Sequence, residues 1–193
     1  MLDKEITIIG YHGTEIKNVN NILKEGLSHT QRDDHWLGQG FYLYKDSTLA
    51  QWWAKIKFKQ NYNQPAVIKV ELVVREEKLL DLDTVEGLNR FFREMKRLLA
   101  LTSYRFRFKN DERIKNLCFA LDLLKEELDI WVIIRTFSKD NPSYGDENIP
   151  KFEDKYFTLP LDFAYLETQI CVSKNECVKN KECCYPKPKT TWS

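Results

Sequence analysis

Apolar and polar positions alternate in part over Ala66–Val74, "AVIKVELVV", and this predicts a β-strand. Ile130–Phe137, "IWVIIRTF", is denser in β-branched residues and predicts a second. Shorter runs of the same kind predict strands at Ile6–Tyr11, Gly40–Tyr44 and Leu166–Val172, the last closing the sheet. A different period appears between them. Ile16, Val19, Ile22 and Leu23 recur at helical spacing, with Gly26 placed as a C-cap. Helices are also predicted over Ser47–Phe58, with Asp46 or Ser47 as N-cap, over Asp83–Leu101 and over Asp111–Leu128. Ser28–Trp36 and Ser138–Pro150 read as polar loops, and Asn175–Val178 as a turn.

Strands outnumber clean strand–helix–strand units, and the helices are unevenly spaced. The expected class is therefore α+β rather than a doubly wound sheet. No internal repeat and no compositional break divides the chain. Residues 1–178 are expected to form a single domain. Residues 179–193 read as a tail rich in Lys, Cys and Pro, whose end "YPKPKTTWS" has no periodicity.

Composition narrows the function classes. A hydrophobic content of 42% is enough for a core, and 31% charged residues describe a solvated surface rather than a disordered chain. No apolar run approaches the ~18 residues of a membrane span. The start, "MLDKEITIIGYHG", lacks the basic and apolar regions of a secretory leader, so a cytoplasmic protein is expected. The net charge of +1 argues against a protein whose whole surface attracts nucleic acid. One segment departs from that balance. Asn89–Lys115 holds nine Lys/Arg against three acids, a surplus of six, and includes the alternating aromatic and basic run "YRFRFK" at Tyr104–Lys109.

Candidate chemistry starts from what is missing. There is no Gly-x-Gly-x-x-Gly between a strand and a helix, no Walker loop and no G-x-S-x-G elbow. The spacing Cys171, Cys177, Cys183, Cys184 lacks the close pairs of a tetrahedral zinc site, and the three histidines His12, His29 and His35 are too few for a ready cluster. No metal is expected. What remains is "YHGT" at Tyr11–Thr14, then "GQGFYLY" at Gly38–Tyr44, with Trp53 eleven residues beyond Tyr42 and "ETQICV" at Glu167–Val172. Taken singly, His12, Tyr42 and Trp53 are ordinary core residues. Together, in order, they are far more specific.

That combination resembles the donor-site motifs of the ADP-ribosyltransferases of the diphtheria-toxin and poly(ADP-ribose) polymerase type, and especially their small bacterial or phage-associated members. The likeness covers Tyr11–Ala54 well and Glu167–Val172 more thinly. It implies a split β-sheet core with flanking helices and NAD as co-substrate, with no metal. It further implies that His12 donates to a hydroxyl of the adenosine ribose and that Gly13, beside Thr14, offers its backbone to the nicotinamide carboxamide. Tyr42 stacks on the nicotinamide, Trp53 covers the other face, and Gly40 and Phe41 border the ligand. Cleavage of the nicotinamide–ribose bond passes through an oxocarbenium-like state, which calls for a nearby negative charge.

The late strand departs from the family pattern. Aligning the apolar continuation puts Gln169 where the family carries its glutamate, and Glu167 lies two residues earlier on the same strand face. Glu167 is expected to be the essential acid and Gln169 its orienting partner, with the roles of the two left open.

The resemblance implies a mono-ADP-ribosyltransferase acting on a protein or a nucleic acid, in the setting of a toxin or phage-defence effector with an antitoxin partner. Two other functions fit the same residues: a non-catalytic module that binds NAD, ADP-ribose or RNA, and an RNA 2′-phosphotransferase.

Overall fold

The computed structural model describes residues 4–28, 35–58, 64–101, 113–139 and 165–186. Seven strands form one sheet: β1 (Glu5–Glu15), β2 (Phe41–Tyr44), β3 (Pro65–Arg75), β4 (Leu79–Asp81), β5 (Val132–Lys139), β6 (Tyr165–Val172) and β7 (Val178–Tyr185). Among the described residues four α-helices accompany them: α1 (Ile16–Glu25), α2 (Ser47–Phe58), α3 (Val85–Leu101) and α4 (Arg113–Leu128). The strand order is β4-β5-β6-β2-β1-β3-β7, and every pairing is antiparallel except β4 with β5. The class is mixed α and β, compatible with the α+β expectation. No helix among the described residues is long and apolar enough to cross a membrane.

The sheet is buried on both faces. Ala66, Ile68, Val70, Leu72 and Val74 of β3 point to one side and are all 1% exposed or less. They meet Phe41, Leu43, Ile170 and Val172 there, with Val19 of α1 as the helical cover. The opposite face carries a second cluster, in which Met95 of α3 and Leu121 and Leu124 of α4 pack on Leu80, Ile133 and Cys171. Helix α2 covers β1 and β3 on that same side. A Cβ at Gly13 would come within 2.4 Å of the Ala50 carbonyl oxygen, so this close approach requires glycine. The N-cap of α2 is Asp46, whose Oδ1 accepts from the Thr48 amide at 2.6 Å.

Besides the short strand β4, three features differ from the sequence reading. β1 runs on to Glu15 and pairs with β3 along its whole length, because Thr14 and Glu15 lie against Ala66 and Pro65. The late strand β6, expected to close the sheet, lies inside it between β5 and β2. Residues 179–185, expected in a tail, belong to β7, which pairs with β3 at one edge. The sequence "VKNKECCY" hides this strand because an edge needs little apolar pattern and tolerates lysines on its open side. The motif Tyr104–Lys109 lies outside the described residues.

Candidate functional site

A cavity of about 540 Å³ opens on the α2 face of the sheet. Its walls are aromatic: Tyr44 of β2, Trp52 and Trp53 of α2, Trp36 from the loop before β2, and Phe137 of β5. Ile56 and Lys57 follow from α2, and β6 supplies Glu167 and Gln169. Strand and helix periodicity explain the set. Glu167 and Gln169 share one face of β6, and the register places Tyr44 opposite Gln169 and Phe137 opposite Glu167. Trp52 with Ile56, and Trp53 with Lys57, are four residues apart and so lie one turn above one another.

Glu167 is 2% exposed. Its Oε1 accepts a short hydrogen bond from Gln169 Nε2, which orients the carboxylate. Trp36 meets Phe137 edge-on at 4.8 Å between ring centres. Lys57 Nζ sits 4.3 Å from the Trp53 ring, in cation–π range. The cavity therefore combines a flat apolar lining with one oriented carboxylate and one amine. Such a lining suits a planar ring joined to a group that becomes positively charged.

The loop that brings Trp36 to the cavity is held by buried polar bonds. Lys125 of α4, 7% exposed, donates from Nζ to the Gln39 carbonyl at 2.5 Å and to Asp122 Oδ1 at 3.1 Å. The same Asp122 oxygen accepts from the Gln39 amide at 2.6 Å. Between these bonded groups passes Gly38, whose φ of +76° lies in the region that favours glycine. A Cβ there would also stand 2.3 Å from Asp122 Oδ1.

Of the residues predicted from sequence, Glu167, Gln169 and Trp53 meet in this cavity. His12 and Tyr42 are not among the described residues that line it. Tyr42 turns its ring to His35, 5.1 Å away, and its hydroxyl accepts from the Leu37 amide at 2.7 Å and donates to the Gly38 carbonyl at 2.8 Å. Burial pushes its phenol well above the usual range, so the group stays protonated and fastens the loop. Tyr44, two residues on, occupies the wall instead. The alternation Tyr42-Leu43-Tyr44 contained this signal, since both tyrosines share a strand face. Nothing in the sequence marked Trp36 or Phe137, which converge only through the fold.

His12 lies between β1 and β2. The ladder joining these strands shows Tyr11 opposite Tyr44, and His12 bridges beyond it: Nδ1 is 3.0 Å from the Tyr42 carbonyl oxygen. A carbonyl only accepts, so Nδ1 carries the proton and Nε2 is an acceptor, not the donor expected from sequence. The ring also stacks on Phe41 at 4.1 Å. Burial holds its pKa down at about 4, against an ordinary 6.5, so it is neutral at pH 7. Thr14 is buried at 4% exposure, Phe41 belongs to the core at 5%, and a Cβ at Gly40 would lie 2.4 Å from Cys171 Sγ. All three are closely packed within the fold.

The His12 environment predicts a pH dependence. Above pH 6.5 neither folded nor unfolded chain protonates this ring. Between 6.5 and 4 the unfolded chain takes up a proton that the folded one refuses, so stability falls as pH falls. The slope reaches about 1.4 kcal/mol per pH unit at most. Urea unfolding midpoints should show it, and His12→Asn, which keeps a donor toward Tyr42, should flatten this part of the curve.

No family model matches the chain, and no solved structure matches it. A curated relative, an uncharacterized protein of Methanocaldococcus jannaschii, is 36% identical over 81 residues, which is 39% of this chain. The match spans 37% of that relative's own length.

Proposed function

We propose that the α2-face cavity binds the nicotinamide–ribose end of NAD and that the protein is a mono-ADP-ribosyltransferase. The observation that carries this reading is the meeting of Glu167 with Trp53 and Tyr44 in one cavity, from three separate elements. Nicotinamide is a flat cationic ring, and the aromatic walls stack on it. As the bond to ribose breaks, positive charge moves to the sugar, and the Glu167 carboxylate stabilises it. Gln169 keeps that carboxylate aimed through its own amide. The stacking role implied for Tyr42 passes to Tyr44, and Tyr42 shapes the loop behind it. His12, packed against Phe41 and bonded to the Tyr42 carbonyl, supports the strands behind the cavity rather than touching the ribose. The resemblance of "YHGT" and "GQGFYLY" to known donor-site motifs supports the same assignment. The acceptor is a macromolecule, in a toxin or defence setting.

The test uses NAD labelled separately in its nicotinamide and adenine halves. Free nicotinamide should accumulate, and adenine label should move to a macromolecule in a crude extract. Absence of nicotinamide release over long incubation, with or without extract, would remove the enzymatic reading. One observation favours a second function: the Glu167 carboxylate is already engaged by Gln169. A non-catalytic NAD-binding module would then show calorimetric binding of NAD with no turnover.

A further inference from the structure

Among the described residues, strand β6 is covered unequally on its two sides. β5 accompanies it from Tyr165 to Val172, but β2 pairs only with Gln169–Val172. The last rung on the β2 side is the bond from the Lys45 amide to the Thr168 carbonyl at 3.0 Å. Antiparallel geometry makes the backbone groups of alternate residues point the same way. The N–H and C=O of Leu166 therefore point, like those of Thr168, to the side that β2 has left. There the chain has turned into α2. Between the first turn of α2 and β6 lies an open hollow of about 510 Å³, lined by Lys45, Asp46, Thr48, Leu49, Leu166 and Thr168. Leu166 is 63% exposed at its edge.

We infer that this hollow is the acceptor site of the transferase, and that it takes a polypeptide in extended form, adding as a short strand along Leu166. The inference rests on the reading of the neighbouring cavity as the NAD site and names the class of its second substrate. A strand edge left open among the described residues presents one donor and one acceptor per alternate residue, and another extended backbone satisfies both. The exposed Leu166 and the half-buried Leu49 offer apolar contact to alternate side chains of the added strand, and Lys45 and Asp46 offer one charge of each sign. Leu166 immediately precedes Glu167, whose side chain points to the other face and lines the NAD cavity. The proposal requires a side chain of the docked strand to pass around the end of β2 to the reacting sugar. A nucleic acid, by contrast, finds no row of bases' partners in a backbone edge.

The test does not require turnover. A random-peptide display library is selected on the full chain, and enriched peptides are measured by fluorescence anisotropy. Leu166→Pro deletes only the outward N–H, because the bonds to β5 at this point belong to Glu167 and Tyr165. It should weaken binding roughly tenfold or more, whereas Leu166→Ala, which retains the N–H, should bind within about threefold of the parent. Thr48→Trp, on the exposed first turn of α2, fills the hollow and should abolish binding; it serves should the proline variant fail to fold. Failure to enrich any peptide, or equal binding by all variants, overturns the inference, as does adenine label that moves from NAD to nucleic acid alone. Nicotinamide release, assayed separately on the parent protein, reports on the NAD cavity. Its loss would remove that reading while peptide binding at Leu166 stood or fell by itself.

Discussion

Glu167→Gln is expected to lower nicotinamide release by roughly 100- to 1,000-fold while leaving NAD binding nearly intact. The replacement has the same shape and still accepts from Gln169 Nε2 through its amide oxygen. What disappears is the negative charge. A charge that faces a developing cation from a nearly dry position acts at low local dielectric, and Glu167 is 2% exposed. The ground state of NAD gains little from that charge at the ribose, so the loss should appear in kcat rather than in KM. Chromatographic assay of nicotinamide and calorimetric titration of NAD separate the two. Unchanged release would exclude Glu167 as the acid, and a parallel collapse of binding would mean that the carboxylate acts in the ground state. Gln169→Ala should have a smaller effect, since it frees the carboxylate without discharging it.

Lys125→Met should destabilise the folded chain by about 3 kcal/mol or more. The ammonium is nearly buried, and three acceptors depend on it: the Gln39 carbonyl, Asp122 Oδ1 and Cys171 Sγ, the last at 3.6 Å. Methionine fills the space but leaves an acidic side chain, itself only 24% exposed, without its cation. Removing one member of such a pair costs more than removing both. The double variant Lys125→Met/Asp122→Leu should therefore recover part of the loss. Urea denaturation measures both. A cost below about 1 kcal/mol for the single variant would show that water readily replaces the lysine. The same substitution should weaken NAD binding, because this network holds the loop that carries Trp36 to the cavity wall.

Helices and central strands were legible because their periods are local. Ser47–Phe58 emerged with the expected bounds, and β3 shows the alternation that its sequence announces. The ends were less legible. β1 extends four residues past Tyr11 because a partner strand, not its own pattern, holds Gly13–Glu15. The edge strand β7 and the three-residue β4 have too little apolar signal to be seen alone.

The chain's order of residues by itself determined that Glu167 and Gln169 share one strand face, that Trp53 follows a Gly-rich strand entry, and that a histidine ends the first apolar run. These are consequences of the two-residue and 3.6-residue repeats, which need no distant contact. Only the tertiary structure decided which rings reach Glu167. Tyr42 and Tyr44 have the same alternation, yet the loop at 35–40 claims the first for its own hydroxyl bonds and leaves the second to the cavity. That choice depends on α4, some 80 residues later in the chain, presenting Asp122 and Lys125 to the Gln39 backbone. Long-range partners of this kind leave no local period.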